Sequence, residues 1–293
     1  MNSFISYLIS GISLGSIYAL IALGYTMVYG IAKMLNFAHG DVIMVGGFVV
    51  YMVVTEQSLP TGVGILLAVV VCTVLGVLIE KVAYKPLRKA SSLSVLITAI
   101  GVSYFLQNFM LIWKGSGAKN FKSVVTLGTI QINDSLKISG EAVVTILVAI
   151  VIMVVLTFFV NHTKTGMAMK AVSEDKGAAE LMGINVNRTI SIVFAIGSGL
   201  AAVAGILLCS TFTQVSPYTG TMPGIKAFIA AVFGGIGSIP GAMIGGILLG
   251  VIENLSKAYI STQLADAIVF ASLILVLMLK PTGILGKRIN EKV

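Results

Sequence analysis

Long apolar stretches separated by charged residues divide the chain. Residues 4–32 hold no charge, 35–55 is apolar except for His39 and Asp41, and 61–79 is uncharged between Glu56 and Glu80. Five more stretches follow at 93–113, 142–160, 189–212, 225–252 and 258–279. A helix needs about 20 mostly apolar residues to cross the hydrocarbon of a bilayer, and these lengths fit. Because the runs are continuous, and not ten-residue alternations of polar and apolar positions, a membrane β-barrel is excluded. The pattern predicts an all-α fold, a polytopic membrane helical bundle of about eight hydrophobic segments forming one transmembrane domain over residues 1–293. The first stretch has no basic n-region and exceeds a signal h-region, so it is expected to be a retained signal-anchor helix. In the seventh, Gly237-Ser238-Ile239-Pro240-Gly241 predicts a break into two pieces of about a dozen residues, each too short to span.

Composition agrees with lipid as the main solvent. Of 293 residues, 57% are hydrophobic and 10% charged, against roughly 25% charged in a soluble domain. An ordinary soluble protein and a disordered chain are both excluded. The net charge of +8 reads as Lys and Arg gathered near one membrane face, without the long basic run that would suggest nucleic acid. Cys72 and Cys209 lie in apolar runs without metal-ligand spacing and are expected to be buried thiols with no disulfide.

The basic residues also orient the chain. Lys81, Lys85, Arg88 and Lys89 follow the third stretch; Lys164, Lys170, Lys176 and Arg188 follow the fifth; Lys280, Lys287, Arg288 and Lys292 close the chain. Placing these regions in the cytoplasm puts the amino terminus outside. The connection from Lys114 to Glu141, with four lysines, then lies outside; long loops obey the charge rule less strictly. Eight full crossings from an outside start would also end outside, in conflict with the basic tail. A re-entrant seventh segment, entering and leaving by the outer face, restores the parity. Irregular backbone at membrane depth is tolerated only inside protein or along a cavity, which places this break at a packed or functional centre.

Four features could carry chemistry. Glycines 234, 235, 237, 241, 245, 246 and 250 suit close helix packing, or a polar pathway lined by broken helix ends such as Gly235 and Gly237. Asn36-Phe37-Ala38-His39-Gly40-Asp41 brings an Asn, a His and an acid to the start of a membrane segment, where they could line a route or simply reach headgroups and Lys33. Asp266 is isolated in the last stretch and is expected to face the bundle interior. With His39 and His162 as the only histidines, no ordinary zinc site is expected. The fourth feature is the connection 161–188. There Ser173 is expected to cap a short helix with Glu174 and Asp175 in its first turn and Gly183 as its stop, roughly two and a half turns. Ala178, Ala179, Leu181 and Met182 would give it an apolar face suited to a groove in another protein, or to its own bundle or the bilayer. No phosphate loop, nucleophile elbow or H-E-x-x-H motif occurs, so any energy for transport must come from a partner or an ion gradient.

Ordered motifs along nearly the whole chain resemble the LivH-type permeases of bacterial branched-chain amino acid ABC importers. They are Leu14-Gly15-Ser16-Ile17-Tyr18-Ala19-Leu20 with Gly24, Leu35-Asn36-Phe37-Ala38-His39-Gly40-Asp41, Gly166, and Ala178-Ala179-Glu180-Leu181-Met182-Gly183-Ile184. Phe233-Gly234-Gly235-Ile236-Gly237-Ser238 with Gly241 and Lys280-Pro281-Thr282-Gly283-Ile284-Leu285-Gly286 complete the set. The resemblance implies a bacterial inner-membrane location and transport of Leu, Ile and Val. Its implied partners are a second, LivM-type permease, two cytoplasmic ABC ATPases that use ATP, and an extracytoplasmic binding protein; no cofactor is expected on this chain. It also implies that the loop bearing Ala178, Ala179 and Gly183 docks in the ATPase, although Gly177 stands where the general signature has Glu and no Leu-Pro follows. Urea or another amino acid is the neighbouring substrate expectation. A secondary carrier using Asp41, His39 or Asp266 as a proton relay is the alternative from another class, and an intramembrane enzyme lacks an identifiable nucleophile and base.

Overall fold

In the computed structural model, which describes residues 2–88, 90–133 and 136–286, the uncharged first stretch is one long helix, α1 (Asn2–Ala32). Lys89, Lys287, Arg288 and Lys292, used above for orientation, lie outside the described residues. Residues 33–38 leave the helix, with Lys33 at φ +58°, and α2 (His39–Val50) starts beside α1, extended by a widened turn, Tyr51–Glu56. Pro60 fixes the entry to α3 (Thr61–Ile79), whose helical backbone runs on to Leu87. Polar side chains cap the next helices, as the orphan amides of a helix start require. Ser91 caps α4 (Ser92–Lys114), Ser139 caps α5 (Gly140–His162), and Thr163 caps α6 (Lys164–Glu174). After α7 (Lys176–Leu181), Asn185 caps α8 (Val186–Phe212). The remaining helices are α9 (Thr221–Gly234), α10 (Ile239–Tyr259) and α11 (Ala265–Leu279).

Among the described residues four short strands lie between the helices. β1 (Lys119–Asn120) pairs antiparallel with β4 (Gln214–Val215), and β2 (Ile130–Asn133) with β3 (Leu136–Ile138).

Helix α1 is the central post, packed on α10, α8, α9 and α5. Its contact with α10 runs along glycines of both helices. A Cβ on Gly250 would strike the Gly15 backbone, one on Gly246 the Ala19 backbone, and one on Gly11 would come 2.9 Å from Val251 Cα. Such seams bring backbones together and gain dispersion contacts that lipid cannot supply. Helix α8 fills the other side, with Gly205 against Ile43 of α2 and Ser198 against Gly76 of α3. Leu66, Val70 and Val74 on α3, Phe105, Phe109 and Ile112 on α4, and Val151, Val155 and Phe158 on α5 are exposed. Apolar faces this extensive belong in hydrocarbon, and among the described residues seven helices are long and apolar enough to cross it. The protein is a multi-pass membrane protein.

The bundle has a basic end, where the α1 terminus, the segment carrying Lys81, Lys85 and Arg88, helices α6 and α7, and residues 280–286 meet. Lys176 Nζ donates to Ala32 O (2.9 Å), and Arg88 joins Glu80 on its own helix to Asn187 of α8. At the opposite end α1 begins beside the end of α10, with the Tyr7 and Tyr259 rings 5.9 Å apart.

The seventh segment breaks where expected, but unequally. Helix α9 has 14 residues and α10 has 21, enough to span. Glu253 and Lys257 had marked an end to the apolar run, yet they neutralise each other within a larger ion cluster, so the helix continues through them to Tyr259. The eighth segment correspondingly starts at Ala265, not 258, and has 15 residues. The turn reaches the basic end itself, beside Gly30 and residues 284–285, and α10 runs from there to the opposite end, so the expected re-entrant segment of two non-spanning pieces is replaced by a hairpin with one full-length arm.

Candidate functional site

Two helices start inside the bundle, side by side. The break after α1 lets α2 begin at His39, whose ring lies against Gly24 and edge-on to Tyr25, with centroids 4.7 Å apart. Helix α9 begins against it: a Cβ on Gly220 would overlap the Gly40 carbonyl, and one on Gly224 would come 3.0 Å from Gly40 Cα. Only glycines allow two helix starts to approach this closely. Asp41, in the first turn of α2, is buried, and its Oδ1 accepts a 2.8 Å bond from Gln107 Nε2 of α4. Gln107 also reaches Ser103 Oγ (3.3 Å) and Thr221 Oγ1 of α9 (3.5 Å). A carboxylate in the first turn of a helix is favoured by its dipole, and through Gln107 Asp41 links the start of α2 to α4 and to Thr221 of α9. Its partner is thus Gln107 and not Lys33. His39 Nε2 is buried without a hydrogen-bond partner among the described residues.

Toward the basic end, Asn36 Oδ1 accepts the Tyr84 hydroxyl (2.9 Å), and Phe37 packs on Phe228 of α9, centroids 5.7 Å apart. Asn36 lines a cavity of about 10 Å³ with Tyr25, Tyr29, Phe228, Ala231 and Ile236, room for one water at most. Gly235 (φ +107°) and Gly237 (φ +93°) form the adjoining α9–α10 turn, the first buried and the second exposed. The structure therefore brings Asn36, Phe37 and the glycine turn to one narrow spot, with His39 and Asp41 deeper along the same seam.

A buried ion cluster was not anticipated. Lys226 of α9 lies 2.8 Å from Glu253 of α10 and 2.7 Å from Asp266 of α11. Lys257 shares the same Glu253 oxygen at 2.6 Å, and the Tyr18 hydroxyl of α1 donates to the other at 2.8 Å. Two ammonium groups and two carboxylates leave no net charge, which makes the cluster tolerable between helices. The signal was present in the sequence as a lone lysine within the apolar run 225–252. Asp266 does turn toward its neighbours, although 43% of its side chain remains exposed.

The connection 161–188 departs from expectation in its cap. Ser173 bonds back to Lys170 O (2.7 Å), so α6 continues through Glu174, its last residue. Asp175 is the cap of α7, accepting from Ala178 N at 3.0 Å, and α7 has only six residues. Gly183 (φ +81°) ends it as expected; its N–H donates to Glu180 O, while Ile184 N donates to Ala179 O. The foreseen apolar face is divided. Ala179 is buried, whereas Ala178 is exposed and Leu181 and Met182 project at 91% and 82% exposure. Burial, then the charges of Arg88 and Lys33, hold the Lys176 ammonium below the usual lysine range. Among the described residues no group of three His, Cys, Asp or Glu side chains could hold a metal ion.

Comparison with known proteins places this architecture. The family described as "Branched-chain amino acid transport system / permease component" matches residues 7–277. The high-affinity branched-chain amino acid transport system permease LivH of Escherichia coli strain K12 is 46% identical, covering 99% of this chain and 98% of the relative. LivH of Salmonella typhimurium is 45% identical over the same shares, and BraD of Pseudomonas aeruginosa, described as the same kind of permease, is 42% identical over 99% and 98%. A multi-pass bundle broken at its glycine turn, matched nearly end to end by these transport components, belongs to the family of permease components of branched-chain amino acid transport systems.

Proposed function

We propose that this chain is the membrane permease of an ATP-driven importer carrying Leu, Ile and Val across the bacterial cytoplasmic membrane. It pairs with a second, LivM-type permease, receives substrate from an extracytoplasmic binding protein and is driven by two cytoplasmic ABC ATPases. The observation that carries this reading is the full-length similarity to permeases whose names specify branched-chain amino acids. The exposed turn Leu181-Met182 at the basic end supports the ATPase contact: large apolar side chains in water, at the tip of a capped helix, suit a groove in a partner. In this reading Glu174, Asp175, Ala178, Ala179 and Gly183 shape the docking element, with Ala179 anchoring it to the bundle. Movement of α7 reaches α1 through Lys176 and Ala32, and from there the 33–38 linker. Substrate passes Asn36 and Phe37 beside the glycine turn, with Asp41 holding the two interior helix starts in register.

The chain itself contributes a path and a moving part, and ATP is hydrolysed by its partners. Reconstitution in vesicles with the partner permease, ATPases and loaded binding protein tests this. Leucine uptake is expected only with ATP and the ATPases present; uptake driven by a proton gradient without ATPases overturns the reading. Identification of the ligand on the co-purified binding protein separates branched-chain amino acids from urea or another amino acid.

A further inference from the structure

The α9–α10 turn is closed only in part by its own hydrogen bonds, such as Ser238 N to Gly235 O at 3.1 Å. Gly235 and Gly237 both take positive φ, and the carbonyls that end α9 lack helical donors. The donors come from the segment after α11: Ile284 N binds Phe233 O and Leu285 N binds Gly234 O, each at 2.9 Å. Gly283, at φ +76°, lies so close that a Cβ would come 2.6 Å from Gly235 N and from Val232 O. Lys280 Nζ donates to Ile284 O (2.6 Å) and closes this segment on itself. Residues 280–286 thus strap the turn from one side, while Gly30 of α1 backs it on the other, where a Cβ would come 3.2 Å from Gly237 Cα. The side chain the strapped turn presents to the small cavity near Asn36 and Met34 is Ile236.

We infer that Ile236 is the plug of the basic-end gate and that residues 280–286 are the strap holding it shut. The inference rests on the proposed route past Asn36. Helix α9 is attached to the α11 unit at both ends, through Lys226 and Asp266 near its start and through the strap at its finish. Gate opening therefore parts the turn and the strap from Gly30 and the linker, while α9 stays tied to α10 through Lys226 and Glu253.

The test uses the assembled transporter with Cys72→Ala, Cys209→Ala and Met34→Cys, treated with a membrane-impermeant thiol reagent from the basic end. Met34 is 7% exposed, so labelling is expected to be slow. Ile236→Ala and, separately, Ile284→Pro, which deletes one strap donor, are each expected to raise the labelling rate about tenfold, the population change given by about 1.4 kcal/mol. Gly283→Ala, which displaces the strap sterically, provides the same readout where the proline variant fails to accumulate in the membrane. Unchanged labelling in Ile236→Ala at wild-type protein levels overturns the plug, and a response to Ile236→Ala alone overturns the strap. Leucine uptake measured alongside separates this from the route: faster labelling with unaltered ATP-driven uptake leaves a gate that opens and overturns the reading that substrate passes it.

Discussion

Lys226 places its ammonium 2.8 Å from the Glu253 carboxylate, joining α9 to α10 within the bundle. Glu253 takes three donors from three helices, whereas Asp266 takes only Lys226 among the described residues and is half open to its surroundings. Removing one member of a buried pair leaves the other charge uncompensated, whereas a half-exposed member can rehydrate.

Glu253→Gln is accordingly expected to destabilise the bundle by about 3 kcal/mol, since two ammonium groups lose their shared carboxylate. Asp266→Asn is expected to cost less than about 1 kcal/mol, because Lys226 keeps Glu253. Thermal unfolding of the purified complex checks the order. Equal losses from the two substitutions would show that Glu253 is not the hub.

The α1–α10 seam gives a second contrast. Gly250→Ala drives a methyl into the Gly15 backbone and is expected to cost about 2 kcal/mol by overpacking. Gly101, exposed within α4, has no atom near its missing Cβ, so Gly101→Ala should be neutral or stabilise by up to about 1 kcal/mol through helix propensity. Membrane abundance and melting temperature report both; a tolerant Gly250 would contradict the seam.

The same seam shows what a sequence discloses. Small-residue spacing announced that glycines would pack, but not on what: Gly246 and Gly250 meet α1, whereas Gly245 meets α9, and only tertiary placement distinguishes them. The number and apolar character of the membrane segments were legible because hydrocarbon thickness fixes length. The ends of α10 and α11 were not, because charge was used as a ruler and Glu253 and Lys257 are charges that cancel inside the structure. Asn36, Phe37 and Gly235 were legible as candidates from local irregularity, yet the turn beside them is held by the strap some fifty residues beyond Gly235, a long-range relation no local pattern carries.

At the docking turn the prediction separates backbone from surface. Gly183 has open space around it, so Gly183→Val suffers from its left-handed backbone, at about 1–2 kcal/mol, and not from a clash. Asn tolerates that conformation, so Gly183→Asn should keep most of the uptake that Gly183→Val loses. Leu181→Asp should leave the chain folded and inserted, because Leu181 is 91% exposed, yet reduce ATP-driven leucine uptake at least about tenfold by charging an apolar contact. Normal uptake in Leu181→Asp would remove this turn from the ATPase contact.

The His39 and Gly24 pair distinguishes packing from proton relay. His39 is buried to 1% exposure, its Nε2 finds no hydrogen-bond partner among the described residues, and a Cβ on Gly24 would overlap its ring while coming 3.2 Å from Gly197 O. A relay group needs a neighbour for its proton, whereas a wedge needs only volume. Gly24→Ala is therefore expected to lower membrane abundance and uptake, and His39→Ala in the same chain to restore much of both by making room for the added methyl. Residues in direct contact show couplings of about 0.5–3 kcal/mol in double-mutant cycles, and this pair should fall in that range with the sign of relief. His39→Ala alone leaves a void and should weaken stability without abolishing ATP-driven uptake. Complete loss of uptake in both His39→Ala chains, with the protein present and folded, would instead assign the imidazole a chemical role and revive proton coupling at the interior helix start.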